Sequence, residues 1–426
     1  MDFWRLFGYA RTCFYSHVST IDLPAKLSDK PINLLDFCKQ ITPVCRLNPL
    51  LFNGHLQTFW TTVKSYDIPI FYKRYVFSAE EPAFAGTFAV DFVVKAYQGA
   101  DESLPPRTAY YGDAEFESVG SMDTRPMLVA LHGLSGGSHE IYLRHVLRPL
   151  VDGGGWEACV VNSRGCARSK ITTGVLYNAR ATWDIRQVVK WLRKTFPNRP
   201  LLGIGFSLGA NILVNYLGEE GDNCELKAAV VCSNPWNLEV GSIMLQSTWL
   251  GHEIYSKEMG TSMRRLFEEH VNELSKNSKV NVERVRKINY LYEFDRELQG
   301  PTWGYPTEGA YYRDASSCDS LLAVRVPLLA INAEDDPIAV KQAIPFMEFQ
   351  QNPFAVLCTT SLGGHLGWFE TGGGRWFAKP ASQFLMKMAQ DIDVDTLSNS
   401  ASGGDDVASS TPPFFNPMRR KLQVAC

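Results

Sequence analysis

The sequence lacks the features that mark several other classes of protein. No stretch of it approaches the ~18 uninterrupted apolar residues that a membrane-spanning helix needs. Its 42 Lys and Arg residues are balanced by 45 Asp and Glu residues, so the net charge is −3 and no basic surface is indicated for a nucleic acid. No internal repeat is evident. We therefore expect neither a membrane-spanning protein nor a nucleic-acid-binding one.

The cysteines lack any paired spacing. None of the ten forms a C-x-x-C pair, and Cys159, Cys232 and Cys358 lie inside apolar strand patterns. Such positions are typical of cysteines that are buried as small hydrophobic residues in a reducing compartment. We expect no disulfide and no metal site, and we expect an intracellular, cytoplasmic protein.

The N-terminus lacks the unbroken apolar core of a secretory signal, because Arg5 and Arg11 interrupt it. The apolar residues around these arginines are Phe3, Phe7, Ala10 and Phe14. Two interpretations stay open for them. They form one face of a short helix that lies on a membrane or lipid-droplet surface, or they pack onto the protein's own core.

The most informative feature that is present is a G-x-S-x-G motif after an apolar run. The run Pro200–Ile204 is typical of a buried strand, the motif is Gly205–Gly209, and Ala210–Leu217 has helical periodicity. A strand, a sharp turn and a helix around this motif describe a nucleophile elbow, in which the serine hydroxyl projects from the end of a sheet. Glycines flank the serine because side chains would clash in the strained turn. Ser207 is therefore the predicted nucleophile.

A nucleophilic serine needs a histidine base and an acid that orients it, and in this type of fold the acid precedes the histidine in the chain. Asp335 and Asp336 follow the strand pattern 327–331, and His365 follows the strand pattern 355–359. Ligands collect at the carboxyl ends of strands in open α/β sheets. We expect His365 to take the serine proton and one of the two aspartates to orient the imidazole.

Attack on a carbonyl group also requires donors for the developing oxyanion. One donor is expected to be the backbone N–H of Leu208, which follows the nucleophile, and the second is expected in the loop after an earlier strand. The run 127–131 fits that strand and 132–138 fits the loop, so Leu134 is the predicted second donor. His132 is interpreted as a structural residue of this loop.

Strand and helix patterns alternate along the chain, which predicts a mostly parallel central sheet with helices on both faces. Strands are expected near 71–77, 88–94, 157–161, 200–205 and 227–232, helices over 138–150, 176–196, 208–218 and 376–391, and a loop over 97–125. Helical spacing without strands interrupts the alternation in the middle of the chain. The predicted domains are an N-terminal arm 1–45, a core of 46–235 and 321–392, a helical cap 236–320 over the site, and a disordered tail 393–426.

Aromatic side chains are abundant in the predicted cap, and a subset of them is expected to line an apolar acyl pocket. They are Trp236, Trp249, Phe267, Tyr290, Tyr292, Phe294, Trp303, Tyr305, Tyr311 and Tyr312.

Taken together, these motifs resemble the α/β-hydrolase superfamily, and within it the YheT/EMB8-like branch (the AB-hydrolase type 4 group). The segments that carry the closer resemblance are Asn48–Thr58 with its G-H-L-Q-T end, Leu131–Leu134, Asn162–Cys166, Gly205–Asn211 and Asn332–Pro337. The resemblance implies an α/β-hydrolase fold with a helical cap insertion. It favours Asp336 as the acid, since the D-P-I continuation is similar to that of related hydrolases, and leaves Asp335 as the alternative. Ser163 stands where relatives commonly have phenylalanine, a departure that bears on the wall of the site.

The resemblance implies carboxylic-ester chemistry on acyl chains, as in esterases, lipases and fungal enzymes that make and break medium-chain fatty acid ethyl esters. We expect a small-molecule acyl ester substrate and no cofactor. Two alternatives stay open. An alcohol that intercepts the acyl-enzyme would make the protein an O-acyltransferase, and a hydrolase fold used only for binding would carry no activity. The chain length of the acyl group and the oligomeric state are not readable from the sequence.

Overall fold

The structure is a computed structural model that describes residues 7–28, 30–63, 67–99, 101–394, 396 and 415–418. Phe3 and most of the predicted tail 393–426 lie outside these residues.

Fourteen strands lie within the described part of the chain. In chain order they are β1 (Tyr9–Ala10), β2 (Thr12–Ser16), β3 (Asp22–Leu23), β4 (Ile32–Asn33), β5 (Cys45–Arg46), β6 (Phe71–Ser78), β7 (Thr87–Val94), β8 (Thr108–Tyr110), β9 (Met127–Leu131), β10 (Glu157–Asn162), β11 (Leu201–Phe206), β12 (Leu226–Cys232), β13 (Leu328–Ala333) and β14 (Ala355–Thr360).

Ten of these strands form one sheet in the order β2-β14-β13-β12-β11-β9-β10-β7-β6-β8. The six strands from β14 to β10 run parallel, whereas β2, β7 and β6 pair antiparallel. Every residue of β9, β11, β13 and β14 is buried, which is why these strands read as continuous apolar runs rather than as alternating ones. The prediction of a mostly parallel central sheet is confirmed.

Sixteen α-helices are described. They are α1 (Leu34–Ile41), α2 (Gly54–Val63), α3 (Asp113–Glu117), α4 (Ile141–Val151), α5 (Trp183–Thr195), α6 (Leu208–Glu220), α7 (Leu238–Ser247), α8 (Lys257–Glu269), α9 (Val271–Leu274), α10 (Val282–Arg286), α11 (Leu291–Phe294), α12 (Gly300–Trp303), α13 (Glu308–Ala315), α14 (Cys318–Leu321), α15 (Phe346–Phe349) and α16 (Ala378–Asp391). None of the described helices has the length and apolar character that a bilayer crossing requires.

Helices cover both faces of the sheet, as predicted. On one face α1, α4 and α16 bury residues such as Phe37, Leu147 and Phe384 against the strands. On the other face α5 and α6 bury residues such as Val188 and Leu213. The sheet is therefore the middle layer of three, and its strand ends are the edge at which the site is built.

Between β12 and β13 the chain is helical. Helices α7 to α13 and two π-helical segments, Gly251–Ser256 and Asp295–Gln299, lie within the residues predicted as a cap. Their apolar side chains form a cluster of their own, in which Phe267 and Phe294 pack with Tyr177 and Trp183 from the sheet domain. The division of the chain into core and cap remains a prediction.

Two predicted segments differ from the structure. The predicted helix 176–196 begins only at Trp183, because the preceding segment is tied to neighbouring helices: Ala179 N–H donates to the Tyr311 hydroxyl, and Asn211 Nδ2 donates to the Ala179 carbonyl. The predicted loop 97–125 contains β8 and α3.

The predicted N-terminal helix face is wrong for the residues described. Ala10 ends β1 and Phe14 lies in β2, which pairs antiparallel with β14 at the edge of the main sheet. Phe14 is partly buried against the core, so the alternative of packing onto the protein is the one the structure has. Phe7 precedes the strands and is half exposed.

The cysteines of the apolar strand patterns, Cys159, Cys232 and Cys358, are buried free thiols, as predicted. Burial raises the pKa of each thiol above its ordinary value. Thiols that stay protonated in this way act as small apolar residues of the sheet.

Candidate active site

The turn between β11 and α6 holds Ser207 in a strained conformation. Its φ of +51° and ψ of −120° place it in a region that side-chain-bearing residues seldom adopt. A Cβ on Gly205 would lie 2.6 Å from Ala210 Cα, and one on Gly209 would lie 2.4 Å from the His132 carbonyl oxygen. The two glycines are required because the turn packs backbone against backbone.

Three of the predicted residues meet at the carboxyl edge of the sheet. His365 Nε2 lies 2.9 Å from Ser207 Oγ, and His365 Nδ1 lies 2.9 and 3.1 Å from the two carboxylate oxygens of Asp336. Asp336 Oδ1 also accepts the backbone N–H groups of Ile338 and Ala339, both at 2.8 Å. With Nδ1 donating to the carboxylate, Nε2 is the nitrogen left to accept the serine proton.

Asp335 lies on the other side of the same loop. Its Oδ1 accepts the backbone N–H groups of Gly363 at 2.9 Å and Gly364 at 3.0 Å, two residues before His365. Asp335, the alternative acid, is therefore bonded to the backbone of the loop that carries the histidine rather than to the imidazole. The sequence holds no signal for this role, because the two carboxylates occupy the same turn.

The predicted oxyanion loop after β9 is held by two tyrosine hydroxyls. Gly133 N–H donates to the Tyr142 hydroxyl at 2.8 Å, and Ser135 N–H donates to the Tyr177 hydroxyl at 2.9 Å. The N–H groups on both sides of Leu134 are thus bonded within the protein. Leu134 and Leu208 line the same cavity as Ser207, and Leu208 opens α6, where backbone N–H groups carry the positive end of the helix dipole.

His132 is buried and keeps its structural interpretation. Its Nε2 accepts the Ser163 N–H at 3.0 Å, so the proton resides on Nδ1, which donates to the Gly133 carbonyl at 2.7 Å. Burial lowers the pKa of this imidazole to about 4. A neutral ring fixed at both nitrogens holds the oxyanion loop to the turn after β10 and is not available as a base.

A cavity of about 100 Å³ opens beside Ser207 beneath the helical insertion. It is lined by Leu134, Ser207, Leu208, Pro235, Leu238, Gly241, Ser242, Leu245, Ser256, Met259, Leu291, Tyr292, Tyr312 and Ile338. Of the aromatic residues predicted for the cap, Tyr292 and Tyr312 line it, whereas Trp249 is exposed. Ser163 is not among the residues that line this cavity, and its contact with His132 is made by its backbone N–H, which any residue but proline supplies.

One buried carboxyl group stands behind the cavity wall. Asp295 Oδ2 accepts the hydroxyl of Tyr312 at 2.6 Å. Burial raises the pKa of Asp295 to about 7, because the surrounding helices offer the charge little solvation. The sequence does not identify this pair, since both residues lie in helical patterns without a motif.

Within the residues that the structure describes, no group of three or more His, Cys, Asp and Glu side chains is arranged to hold a metal ion. The site as built consists of a serine hydroxyl, an imidazole and a carboxylate in one hydrogen-bonded chain beside an apolar cavity. Such an arrangement is suited to acyl transfer through a covalent intermediate.

Comparison of the sequence with those of known proteins identifies relatives of this chain. The sequence model described as the alpha/beta hydrolase fold matches residues 126–370. A monoacylglycerol lipase from Saccharomyces cerevisiae is 38% identical over 370 residues, covering 82% of this chain and 81% of its own. The medium-chain fatty acid ethyl ester synthase/esterase 2 of the same yeast is 31% identical over 437 residues, covering 89% and 95%. The embryogenesis-associated protein EMB8 of Picea glauca is 38% identical and covers 75% and 66%.

Proposed function

The chain belongs to the α/β-hydrolase family, and from this premise we propose that it hydrolyses carboxylic esters of acyl chains through an acyl-enzyme on Ser207. The observation that carries the proposal is the hydrogen-bonded chain from Ser207 through His365 to Asp336, at the wall of an apolar cavity. Relatives named as a lipase and an esterase, similar over most of the chain, support the same reaction class.

In the first half-reaction Ser207 Oγ attacks the ester carbonyl carbon while its proton passes to His365 Nε2. The carbonyl electrons move to the oxygen, where the N–H groups of Leu134 and Leu208 stabilise the charge. Asp336 stabilises the imidazolium ion. His365 then returns the proton to the departing alkoxide, so an alcohol leaves and the acyl group remains on Ser207.

In the second half-reaction the same groups act on water. His365 Nε2 takes a proton from the water as its oxygen attacks the acyl carbonyl, and returns that proton to Ser207 Oγ as the free acid leaves. The apolar residues around Ser207, among them Leu238, Leu245 and Met259, suit an acyl chain. Its length is set by how the cavity extends under the helices.

The direct test compares the wild type with Ser207→Ala on p-nitrophenyl esters from C4 to C16 and on glycerol esters. Free acid should form with the wild type and fall by several orders of magnitude in the variant, because the nucleophile is absent. A fluorophosphonate should label the wild type only. Ser382→Ala is the matched control, since this buried serine lies in α16 and its hydroxyl bonds only to that helix. Turnover retained by Ser207→Ala would overturn the assignment.

A second activity is favoured by one relative. The yeast protein named a medium-chain fatty acid ethyl ester synthase/esterase is similar over 95% of its own length. We propose that alcohols also accept the acyl group here: the alcohol oxygen attacks the acyl carbonyl while His365 takes its proton, and His365 returns that proton to Ser207 Oγ as the bond between Ser207 and the acyl group breaks and the new ester leaves. Mass spectrometry of the products with and without added ethanol measures how the acyl group divides between free acid and ethyl ester. Ethyl ester exceeding free acid identifies a transferase, and free acid alone leaves hydrolysis.

We also propose that the protein meets its substrate at a lipid surface, through the outer face of the insertion. Val240–Gly251 contains no charged residue, and Ile243, Trp249 and Leu250 are exposed there. The same helix α7 turns Gly241, Ser242 and Leu245 to the cavity, so lipid on the outer face would lie one helix away from the nucleophile.

Sedimentation with phosphatidylcholine vesicles tests this contact. Trp249→Ser with Leu250→Ser should reduce the bound fraction severalfold and leave hydrolysis of a water-soluble C4 ester unchanged. Val18→Ser, at an apolar residue that is 96% exposed outside the insertion, is the control. Equal sedimentation of wild type and double variant would refute the lipid contact without touching the hydrolase proposal.

A further inference from the structure

Backbone N–H groups of the loop that carries His365 donate to side chains from several other segments of the chain. The N–H groups of Gly363 and Gly364 donate to Asp335, that of His365 donates to Thr58 Oγ1 at 2.9 Å, and that of Leu366 donates to Ser233 Oγ at 3.2 Å. Phe369 N–H donates to Gln57 Oε1 at 2.8 Å. Side-chain oxygens thus accept five N–H groups of one short loop.

The loop needs such support because its backbone is strained. Leu366 has a φ of +53° and Trp368 a φ of +45°, and neither is a glycine. Residues held in this region persist only where the surrounding structure imposes them. The side chains that accept the loop's N–H groups therefore help to fix the backbone that carries the imidazole.

Two of these acceptors are adjacent residues of α2, in the G-H-L-Q-T segment that the resemblance singled out and the triad does not use. Gln57 is fully buried, and its Nε2 donates to the Leu51 carbonyl at 3.0 Å. Thr58 is buried as well, and its hydroxyl donates to the Gly54 carbonyl at 2.7 Å. Because each side chain is fixed by its own donor, its oxygen is aimed at the loop before the loop binds.

Gly54, the first residue of α2, packs against the same loop. A Cβ on Gly54 would lie 1.8 Å from the Asp335 carbonyl oxygen, and one on Gly364 would lie 2.5 Å from the Gly54 carbonyl oxygen. The start of α2 therefore packs backbone to backbone against both loops of the triad, the one that carries the acid and the one that carries the base.

We propose that Gln57 and Thr58 are positioning residues for the triad, with Thr58 setting the position of His365 through its backbone N–H. The proposal rests on the proposed hydrolase function and adds the reason for the G-H-L-Q-T segment. The Thr58 hydroxyl is hydrogen-bonded to Gly54 and His365, and among the described residues Thr58 does not line the cavity beside Ser207. It acts on the reaction through the histidine.

Thr58→Val removes the acceptor and keeps the shape of the side chain. We expect kcat to fall about 10- to 100-fold, since a small displacement of a catalytic group can cost about 100-fold, while KM stays within about 2-fold. Thr58→Ser keeps the hydroxyl and should restore wild-type kcat. Thr62→Val is the matched control, because this threonine of the same helix is exposed and its hydroxyl donates to the Phe59 carbonyl of its own helix.

Hydrogen exchange gives a readout that does not depend on activity. The amides of residues 363–366 should exchange faster in Thr58→Val than in wild type and Thr58→Ser, with the rest of the sheet unchanged. Wild-type kcat in Thr58→Val, or an equal loss in Thr58→Ser, overturns the proposal. If Thr58→Val does not fold, hydrogen exchange of the wild type tests the proposal. The proposal is overturned if the amides of residues 363–366 exchange as fast as those of the exposed turn 371–372. An inactive wild type with a protected loop would instead refute the hydrolase function alone.

Discussion

Asp335 and Asp336 are neighbours in the chain, and their carboxylates hold consecutive residues of one loop. Asp336 accepts the imidazole Nδ1 proton of His365, whereas Asp335 accepts the N–H groups of the two glycines before it. One aspartate therefore holds the imidazole and the other holds the backbone that carries it. The two roles predict different consequences for the same substitution.

Asp336→Asn should lower kcat by about 10⁴-fold, the loss typical when a triad acid becomes an amide and the imidazole adopts the wrong tautomer. Asp335→Asn keeps an oxygen that accepts the same two N–H groups, and kcat should stay within about 10-fold of the wild type. Steady-state kinetics on a p-nitrophenyl ester measures both. Equal losses in the two variants would contradict the assignment of the acid.

His132 should make folding stability depend on pH. The folded protein holds the pKa of its imidazole at about 4, below the ordinary value, so the neutral ring contributes stability above about pH 6.5 that is lost as the pH falls towards 4. The change corresponds to about 3 kcal/mol. Urea unfolding of wild type and His132→Gln should show the wild-type advantage shrinking over this interval. An advantage independent of pH would mean that the imidazole is not held neutral.

Asp295 should make the folded protein less stable as the pH rises, the opposite of the effect of His132. Its carboxyl group has a pKa of about 7 in the folded protein, so its contribution to stability is complete below about pH 4 and is lost as the pH rises through 7. Asp295→Asn is neutral and still accepts the Tyr312 hydroxyl. At pH 8 the variant should unfold at higher urea, with a gain of up to about 4 kcal/mol, and at pH 4 the two should be similar. A variant that is less stable at pH 8 would contradict this prediction.

Gly241 offers a way to change the substrate range. It lies in α7 at the cavity wall, and a Cβ there meets nothing within 4 Å. Gly241→Ala should stabilise the protein by about 0.5–1 kcal/mol through helix propensity, whereas Gly241→Leu should also fill part of the cavity. Relative kcat/KM across C4 to C16 esters should shift towards short chains in the leucine variant only. An unchanged profile would place the acyl chain elsewhere.

The sequence predicts those parts of the site that depend on local patterns of apolar residues and glycines. The apolar run before Gly205 and the helical spacing after Gly209 place Ser207 at a strand end, and the structure has β11 and α6 there. His365 and Asp336 follow from chain order, the ends of apolar strands and the resemblance. Their catalytic roles remain predictions for the kinetics above.

The parts that the sequence does not predict depend on contacts between distant segments. The side chain of Thr58 accepts the backbone N–H of His365, 307 residues away in the chain, and no local sequence pattern predicts such a bond. The helix predicted from residue 176 begins at Trp183 because hydrogen bonds from α6 and α13 hold the segment before it. Tertiary hydrogen bonds outweigh helical spacing in that segment.

The pairing of β2 with β14 has a consequence for synthesis on the ribosome. Phe14 lies opposite Cys358, which is translated 344 residues later, counting 358 minus 14. At the usual ~5–20 residues per second, that interval is roughly 17 to 70 s. One of the two edge strands of the sheet is therefore its earliest translated strand. In the nascent chain that strand stays without its partner β14, and accessible to chaperones, until translation is nearly complete.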